Sequence, residues 1–567
     1  MPYQAPVSEY QFIFDKVVPL AQVVEKERFS EAAPDITDAV LKECGKMCES
    51  VMAPLQRPGD LHPAYLENGV VRTPPGFAEG YAAIAESGWI GISAGTQYGG
   101  MDLPFALNAA MHDLMCGACI SLNLCPLLSQ GQIEALEHHA SDELQKLYLP
   151  KLISGQWTGT MNLTEPHAGS DVGALTTKAE PQGDKTYKIT GQKIYITWGD
   201  HEISENICHL VLARLPDGKP GPKGISLFLV PKYIPNPDGS LGKKNDLRCV
   251  SLEHKLGIHG SPTAVMEFSG ATGWLVGQEH NGMACMFTMM NNARLAVGMQ
   301  GVGVAEGAYQ HALSYAMERK QGRSMVSDGT GTIIDHADVR RMLAQMKAEI
   351  FAARSIGVAC AVAIDMATAT GDPVWEARAA FLTPIAKAFG SDIGVSVADL
   401  GVQIHGGMGF IEETAAAQYL RDVRITPIYE GTNGIQAMDL VARKMSDGGA
   451  AAFSLMDEMD KLTNKAKNPS LVSCLRSNLG ELRTTTKWLL KQDLNERFAG
   501  AVAYQRAFAR VLGAYFHLAA AMSGEAKRVR LATFYINSLL PENIALCAQA
   551  KAGAGDLYAM ELDDFAA

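Results

Sequence analysis

Apolar and polar positions recur along this chain in two rhythms, and the switches between them divide it. Residues 1 to about 160 follow the helical rhythm, with apolar residues three and four apart. Asp35-Ile36-Thr37 supplies capping side chains for a helix whose apolar face runs through Val40, Leu41, Cys44 and Met47. Pro54 and the Arg57-Pro58-Gly59 turn are expected to end it. Further helices are predicted over residues 77–86, 103–120 and 130–152, with a turn at Tyr98-Gly99-Gly100. From Trp157 the segments become short and β-branched, separated by Gly, Pro, Asp and Asn, as at residues 186–190, 193–197, 209–213 and 225–230. Regular short strands with turn signals predict an antiparallel sheet or barrel of about 110 residues. After Gln278 the helical rhythm returns over residues 293–320, 337–369, 374–403 and 435–445. Helices this long, joined by short connections, form a bundle. Beyond Ser446-Asp447-Gly448-Gly449 the chain stays helical to its end, punctuated by Asn468-Pro469, Ser523-Gly524 and Pro541.

The expected fold is therefore α+β and multidomain. An N-terminal α-helical domain (1–157) precedes a middle antiparallel β-barrel or sandwich (158–278). A C-terminal four-helix bundle (279–446) and an additional α-helical domain (447–567) follow. Length agrees, because 567 residues exceed what one core organises. Hydrophobic content of 47% and charged content of 19% describe an ordinary globular protein. A net charge of −12 argues against a general phosphate-backbone binder. The start lacks a basic segment followed by an apolar core, and no run of 18 or more apolar residues is found, so neither a signal peptide nor a membrane span is expected. The 11 cysteines are scattered, which reads as reduced thiols in a cytoplasmic protein. Cys116-Gly117-Ala118-Cys119 lacks a second pair at zinc spacing, and no metal site is expected.

Four stretches carry candidate chemistry. In Pro427-Ile428-Tyr429-Glu430-Gly431-Thr432 a glutamate sits among apolar neighbours just ahead of a helical run. Desolvation by Tyr429, Ile428 and Pro427 raises a carboxyl pKa towards neutrality, which suits a base removing a weakly acidic proton. Gly431 lets backbone approach a ligand and Thr432 can cap the next helix. A capped helix start, with Glu430 as a dipole partner, explains the same residues. Thr164-Glu165-Pro166-His167-Ala168-Gly169-Ser170 puts hydroxyls and free amides in a turn, suited to an anion or to ordinary strand entry. Lys193-Ile194-Tyr195-Ile196-Thr197-Trp198 is an aromatic-lined strand, the usual makings of core. Gln403-Ile404-His405-Gly406-Gly407 is a glycine-rich helix end without the preceding strand of a dinucleotide fold.

In this order and spacing, with Glu430 lying 430 − 407 = 23 residues after the Gly-Gly pair and Leu420-Arg421-Asp422 between, the motifs resemble the acyl-CoA dehydrogenase family over residues 80–445. The longer N-terminus and helical tail further resemble its 3-(methylthio)propanoyl-CoA dehydrogenase branch. The resemblance implies bound FAD, conversion of an acyl-CoA to a trans-2-enoyl-CoA, and electron-transfer flavoprotein as oxidant. It implies Glu430 as the catalytic base. Met161, Leu163 and Thr164 match flavin-lining positions, with Ser170 near the pyrophosphate and CoA. Tyr195, Ile196 and Thr197 match the stretch beside the isoalloxazine ring, and Arg319 the arginine reaching the pyrophosphate. Gln403, Gly406 and Gly407 match a loop meeting FAD from a neighbouring subunit, which implies a homo-oligomer, a dimer or dimer of dimers. Thr432 and Gly434 match adenine-side positions. Asn291, Arg294, Tyr429 and Gly431 match substrate-side positions.

Departures from the family pattern are visible. Ala293 stands where some relatives carry the catalytic glutamate, which leaves Glu430 as the sole candidate. His167 replaces a glycine, Met161 replaces an aromatic, and His259 stands where a basic residue is usual. Gln321-Gly322-Arg323 replaces an aromatic-Gly step, and an insertion spans residues 324–333. The alternatives within enzymes are a long-chain dehydrogenase or an acyl-CoA oxidase. A DNA-binding alkylation-response flavoprotein shares the architecture, but residues 451–567 carry 14 Lys+Arg and 12 Asp+Glu, so 14 − 12 = +2, which is no phosphate-binding face.

Overall fold

The structure, a computed structural model, describes residues 2–566, apart from the side chains of Asn291 and Asn292. The chain divides into two compact units, one of residues 1–45, 104–117 and 294–567, the other of residues 46–103 and 118–293. All four expected regions appear: helices, then sheet, then bundle, then further helices.

The second unit is built on a sheet of β1 (Trp157–Asn162), β2 (Lys178–Pro181), β3 (Thr186–Thr197), β4 (Asn206–Arg214), β5 (Ile225–Pro231), β6 (Leu247–Leu252) and β7 (Thr263–Val276). Neighbours run β6-β7-β3-β2-β4-β1, and β5 pairs with both β7 and β4, which closes a ring. Most pairs are antiparallel. The alternation pattern did not reveal that β4 also runs parallel to β1 and, at Lys178 and Arg214, to β2. Long connections rather than tight hairpins join those pairs, which parallel pairing requires. Ile189, Val211, Phe228, Val230, Met266 and Phe268 fill the interior.

Residues 186–190 and 193–197, expected as two strands, form the single strand β3. Gly191 between them is a close approach rather than a turn, since a Cβ there would meet the Thr177 hydroxyl at 2.4 Å. Further along, Ile196 pairs with Ala264 while Lys193 pairs with Met266. The strand therefore carries one extra residue there, a bulge that bends it and re-aims a side chain. Tyr195 sits in that bulge with φ +60° and is 61% exposed.

Prolines misled the reading of the N-terminal region. The Pro34–Met47 helix continues through a π turn at Cys48–Met52 into Ala53–Leu61. Pro54 stands at the second residue of that last helix, directly after the π turn. Where the sequence predicts helices over 103–120 and 130–152, Phe105–His139 runs through Pro126, interrupted at Cys119 (φ −160°, ψ 92°), and Asp142–Ile153 follows. Cys116 and Cys119 are buried. Phe105–His139 and Ala337–Thr370 are long and apolar enough to cross a membrane by length and composition, but 89% and 83% of their most apolar windows are buried within the fold.

In the first unit, the helices Ala337–Thr370 and Pro373–His405 pack with each other and with the tail helix Leu494–Ala521, and Gly282–Glu318 crosses Pro373–His405. Small residues set that crossing. A Cβ on Gly298 would meet the Ala386 carbonyl at 2.5 Å, and one on Gly301 the Gly390 carbonyl at 2.3 Å. This close crossing brings residue 294 of one helix and residue 387 of the other towards the same corner. Buried ion pairs tie distant segments into the unit: Arg354 to Asp113 at 2.6 Å and Glu306 at 3.0 Å, and Arg510 of the tail to Glu349 at 2.6 Å.

Candidate functional site

Two sets of sequence-predicted residues emerge, one in each unit. The first surrounds Glu430. After the short helix Ala416–Val423 the chain turns tightly, with the Thr426 hydroxyl donating to the Val423 carbonyl (2.8 Å) and the Tyr429 amide to the Ile425 carbonyl (3.2 Å). Glu430 (φ +55°) and Gly431 (φ +80°) are then both left-handed. A glycine takes this conformation freely. A glutamate does so at a cost on the order of 1 kcal/mol, and such strain clusters at functional sites. Thr432 caps the helix Asn433–Ala442 by accepting the Ile435 amide at 3.2 Å.

Other residues hold this corner. The Gln436 side-chain amide donates to the Glu430 carbonyl at 3.2 Å. The Lys387 ammonium donates to the Gly431 carbonyl at 2.9 Å and to Asn433 Oδ1 at 2.8 Å. Asn433 in turn donates to Asp392 (2.7 Å) and Ser391 (3.0 Å). Tyr429 donates its hydroxyl to Gln300. The Glu430 N–H has no hydrogen-bond acceptor among the described residues.

Glu430 keeps a partly open face, but packed protein encloses it, and that burial raises its carboxyl to about 7 against the opposing charges of Arg294 and Lys387. Of the three residues expected to desolvate it, Ile428 is itself 49% exposed. Arg294 is buried, 4.0 Å from Asp439. Gly434 is half-buried and Thr432 exposed at the helix start. The side chain of Asn291 lies outside the described residues.

The second set lies where β1 and β3 end. Met161, Leu163, Thr164 and Thr197 are half-buried, Tyr195 and Ser170 exposed. Ile196 is a core residue at 2% exposure, so only its backbone faces outward with them. Beneath this strip lies a buried carboxylate. Glu165 accepts from the amides and hydroxyls of both Thr176 (2.7 and 2.9 Å) and Thr177 (3.0 and 2.6 Å), and from the Lys193 ammonium (2.9 Å). Lys193 also donates to the Leu163 carbonyl at 2.9 Å, so one ion pair fixes the backbone of the strip. Burial alone would raise Glu165; the charge of Lys193 and the threonine donors outweigh it and hold the carboxyl at about 2. Trp198, read as strand aromatic, is core: it stacks on Phe77 at 6.4 Å and donates its indole N–H to the Ser121 carbonyl at 3.2 Å.

Arg319, Gln403, Gly406 and Gly407 are exposed, and no hydrogen bond or ion pair joins them to the Glu430 corner among the described residues. Exposed Met408, Phe410 (87%) and Ile411 continue the surface of Gly406 and Gly407. The 324–333 insertion folds back, the Ile333 amide donating to the Arg319 carbonyl at 2.8 Å. His259 pairs with Asp60 at 2.8 Å, a packing role. Sequence reasoning missed Lys387, Asn433 and Gln436 as supports of the corner. Lys387 had a signal, a single cation inside the apolar run Phe381-Leu382-Thr383-Pro384-Ile385-Ala386-Lys387-Ala388-Phe389.

Against known families, residues 37–156, 160–271 and 280–445 match the acyl-CoA dehydrogenase N-terminal, middle and C-terminal domains, and residues 455–561 match an acetyl-CoA dehydrogenase C-terminal-like domain. The chain belongs to the acyl-CoA dehydrogenase family. It is 45% identical to 3-methylmercaptopropionyl-CoA dehydrogenase of Ruegeria pomeroyi over 520 residues, covering 89% of this chain and 88% of that protein. It is 38% identical to a butyryl-CoA dehydrogenase of Syntrophomonas wolfei, covering 72% and 70%. Among solved structures, Caenorhabditis elegans ACDH-11 in complex with C11-CoA shares the fold, tail included, with a TM-score of 0.77 over 93% of this chain and 91% of that one at 20% identity.

As an acyl-CoA dehydrogenase the protein is an FAD-dependent oxidoreductase. Its residues suit that cofactor. The hydroxyls of Thr164, Ser170 and Thr197 make no hydrogen bond among the described residues, which leaves them to a heterocycle edge or a phosphate, and Tyr195 is turned outward beside them.

Proposed function

We propose that this acyl-CoA dehydrogenase oxidises the α,β bond of 3-(methylthio)propanoyl-CoA and of short- to medium-chain acyl-CoA thioesters, with Glu430 as the base. The observation that carries this reading is the Glu430 carboxyl, held at about 7 on a left-handed corner beside two cations. A base works best when its pKa lies near the working pH, and burial supplies that tuning.

In this reading Glu430 removes the α-proton of the bound thioester. Its own N–H, which has no acceptor among the described residues, donates to the thioester carbonyl oxygen as negative charge develops there. Bound FAD would supply the hydride acceptor for the β-carbon, so that loss of the α-proton to Glu430 and of the β-hydride leaves the trans-2-enoyl-CoA. Met161, Leu163, Thr164, Tyr195, Thr197 and the Ile196 backbone line the flavin. Ser170 and Arg319 serve the pyrophosphate, with Ser170 also near CoA, while Thr432 and Gly434 lie on the adenine side. Arg294, Tyr429 and Gly431 face the substrate. Gln403, Gly406 and Gly407 reach the FAD of a second copy, which makes the enzyme a homo-oligomer. The four-part domain division, a cytoplasmic location and electron-transfer flavoprotein as oxidant belong to the same reading.

The 45% identity to 3-methylmercaptopropionyl-CoA dehydrogenase supports the thioether substrate, and the butyryl-CoA relatives support a straight-chain one. A thioether sulfur is close in size and polarity to a methylene, and one methylene is worth only about 1–3 kcal/mol of discrimination. The test is anaerobic flavin bleaching with 3-(methylthio)propanoyl-, butanoyl-, hexanoyl-, octanoyl- and palmitoyl-CoA. Rapid bleaching by the thioether and short chains supports the reading. Bleaching by palmitoyl-CoA alone makes this a long-chain enzyme and overturns it.

A further inference from the structure

We propose that Lys387 is a positioning residue for the reaction, locking the left-handed corner that carries Glu430 and stabilising the ionised form of that carboxylate. The inference rests on Glu430 being the base. A lysine this deep is unusual: it is fully buried and flanked in its helix by the buried residues Ala386, Ala388 and Phe389. Burial alone disfavours an ammonium, so one retained here needs compensating partners. The partners are all parts of the corner. Two of the ammonium's protons go to the Gly431 carbonyl and to Asn433 Oδ1. Asn433 is fixed on its other side by Asp392, Ser391 and the Ala388 carbonyl. Together with Gln436 on the Glu430 carbonyl, this clamps both left-handed residues from the Pro373–His405 helix and from the helix that follows them.

The same ammonium acts electrostatically. Glu430 faces Arg294 from the Gly282–Glu318 helix and Lys387 from the Pro373–His405 helix. Lys387 faces Glu430, Asp392 and Arg294. Arg294 faces Asp439, Glu430 and Arg443. Asp439 is already engaged by Arg443 and Arg294. The two cations therefore offset the burial that would otherwise leave Glu430 protonated. Burial keeps Lys387 at about 8 and Glu430 at about 7, so ammonium and carboxylate coexist near neutral pH.

The test compares Lys387→Gln, which keeps a donor and loses the charge, with Lys387→Arg, which keeps the charge. Both are assayed as FAD-loaded enzyme by anaerobic flavin reduction with butanoyl-CoA across pH, with Glu430→Gln in parallel. The glutamine variant is expected to retain FAD and KM within about twofold. Its acid limb should move up by about one pH unit, with kcat below that limb reduced about tenfold. The arginine variant should keep the limb where the wild type has it. An unmoved limb in Lys387→Gln, with Glu430→Gln inactive, overturns the lysine inference alone. Normal turnover in Glu430→Gln overturns the base reading beneath it. Should the glutamine variant not fold, the arginine variant decides, because an upward shift with the charge retained contradicts the proposal.

Discussion

Two glutamates, one in each unit, show how opposite environments separate identical side chains. Glu165 is more deeply buried by surface, yet its carboxyl is held at about 2; Glu430 keeps a partly open face and stands at about 7. Burial pushes both upward, and only at Glu165 is that push outweighed. The difference is what touches each carboxylate. Glu165 receives four donors from two threonines and a direct ammonium. Near Glu430, Lys387 donates instead to the corner's backbone and to Asn433, and Arg294 lies 4.0 Å from Asp439. A carboxylate that accepts several charge-assisted hydrogen bonds stays ionised and inert as a base. One that feels charge without being saturated by donors can still take a proton.

The largest effect follows from exchanging roles. Glu430→Gln is expected to lower turnover by several orders of magnitude while FAD and acyl-CoA binding persist, since binding and proton abstraction are separable. Turnover assays beside equilibrium binding check it, and near-normal turnover would remove Glu430 from the mechanism. Glu165→Gln strands the Lys193 ammonium, whose side chain is 0% exposed. A buried charge left unpaired costs about 3–5 kcal/mol, so the thermal midpoint should fall markedly and FAD retention with it. An unchanged midpoint would show that the pair holds nothing together. Gly431→Ala is expected to be milder: it puts a Cβ on a residue at φ +80°, 2.8 Å from the Gln436 side chain, and costs about 1–2 kcal/mol. Denaturant unfolding measures that loss.

The pH-dependent effect has opposite signs at the two sites. Glu165, with its folded pKa lowered, adds stability that is complete above the unfolded value of 4.5 and is lost as pH falls towards about 2. Glu430, with its folded pKa raised, removes stability as pH rises from 4.5 through about 7. Glu430→Gln should therefore raise the thermal midpoint above neutral pH, by the equivalent of about 1–3 kcal/mol. The gain should vanish below the unfolded value, where the wild-type carboxyl is protonated in both states. Scanning calorimetry of the FAD-loaded pair across pH checks this, and a gain that persists in acid would assign the stabilisation to packing.

Much of this was readable from the chain, because helical periodicity and β-branched runs report burial directly. The Phe77–Glu86 helix, the boundary at Asn468-Pro469 and the Thr432 cap follow from local rules. What escaped was long-range. Nothing adjacent to Lys387 in sequence shows that it meets residues 431 and 433, because that contact depends on a helix crossing set by Gly298, Gly301 and Gly390. Nor does the pattern around Tyr195 announce its left-handed bulge, since a tyrosine in a strand reads as core until its register against Ala264 and Met266 is known. Pro54 reads as a break because the π turn that carries the helix past it is invisible in sequence.

The measurement that tests the central claim most directly is the pH dependence of single-turnover flavin reduction by a short-chain acyl-CoA under anaerobic conditions. An account in which Glu430 is tuned by burial against two cations predicts a rate that rises with pH through a single ionisation near 7 and is almost absent in Glu430→Gln. A rate already at its plateau near the ordinary glutamate value of 4.5, or a wild-type rise surviving in Glu430→Gln, would contradict it.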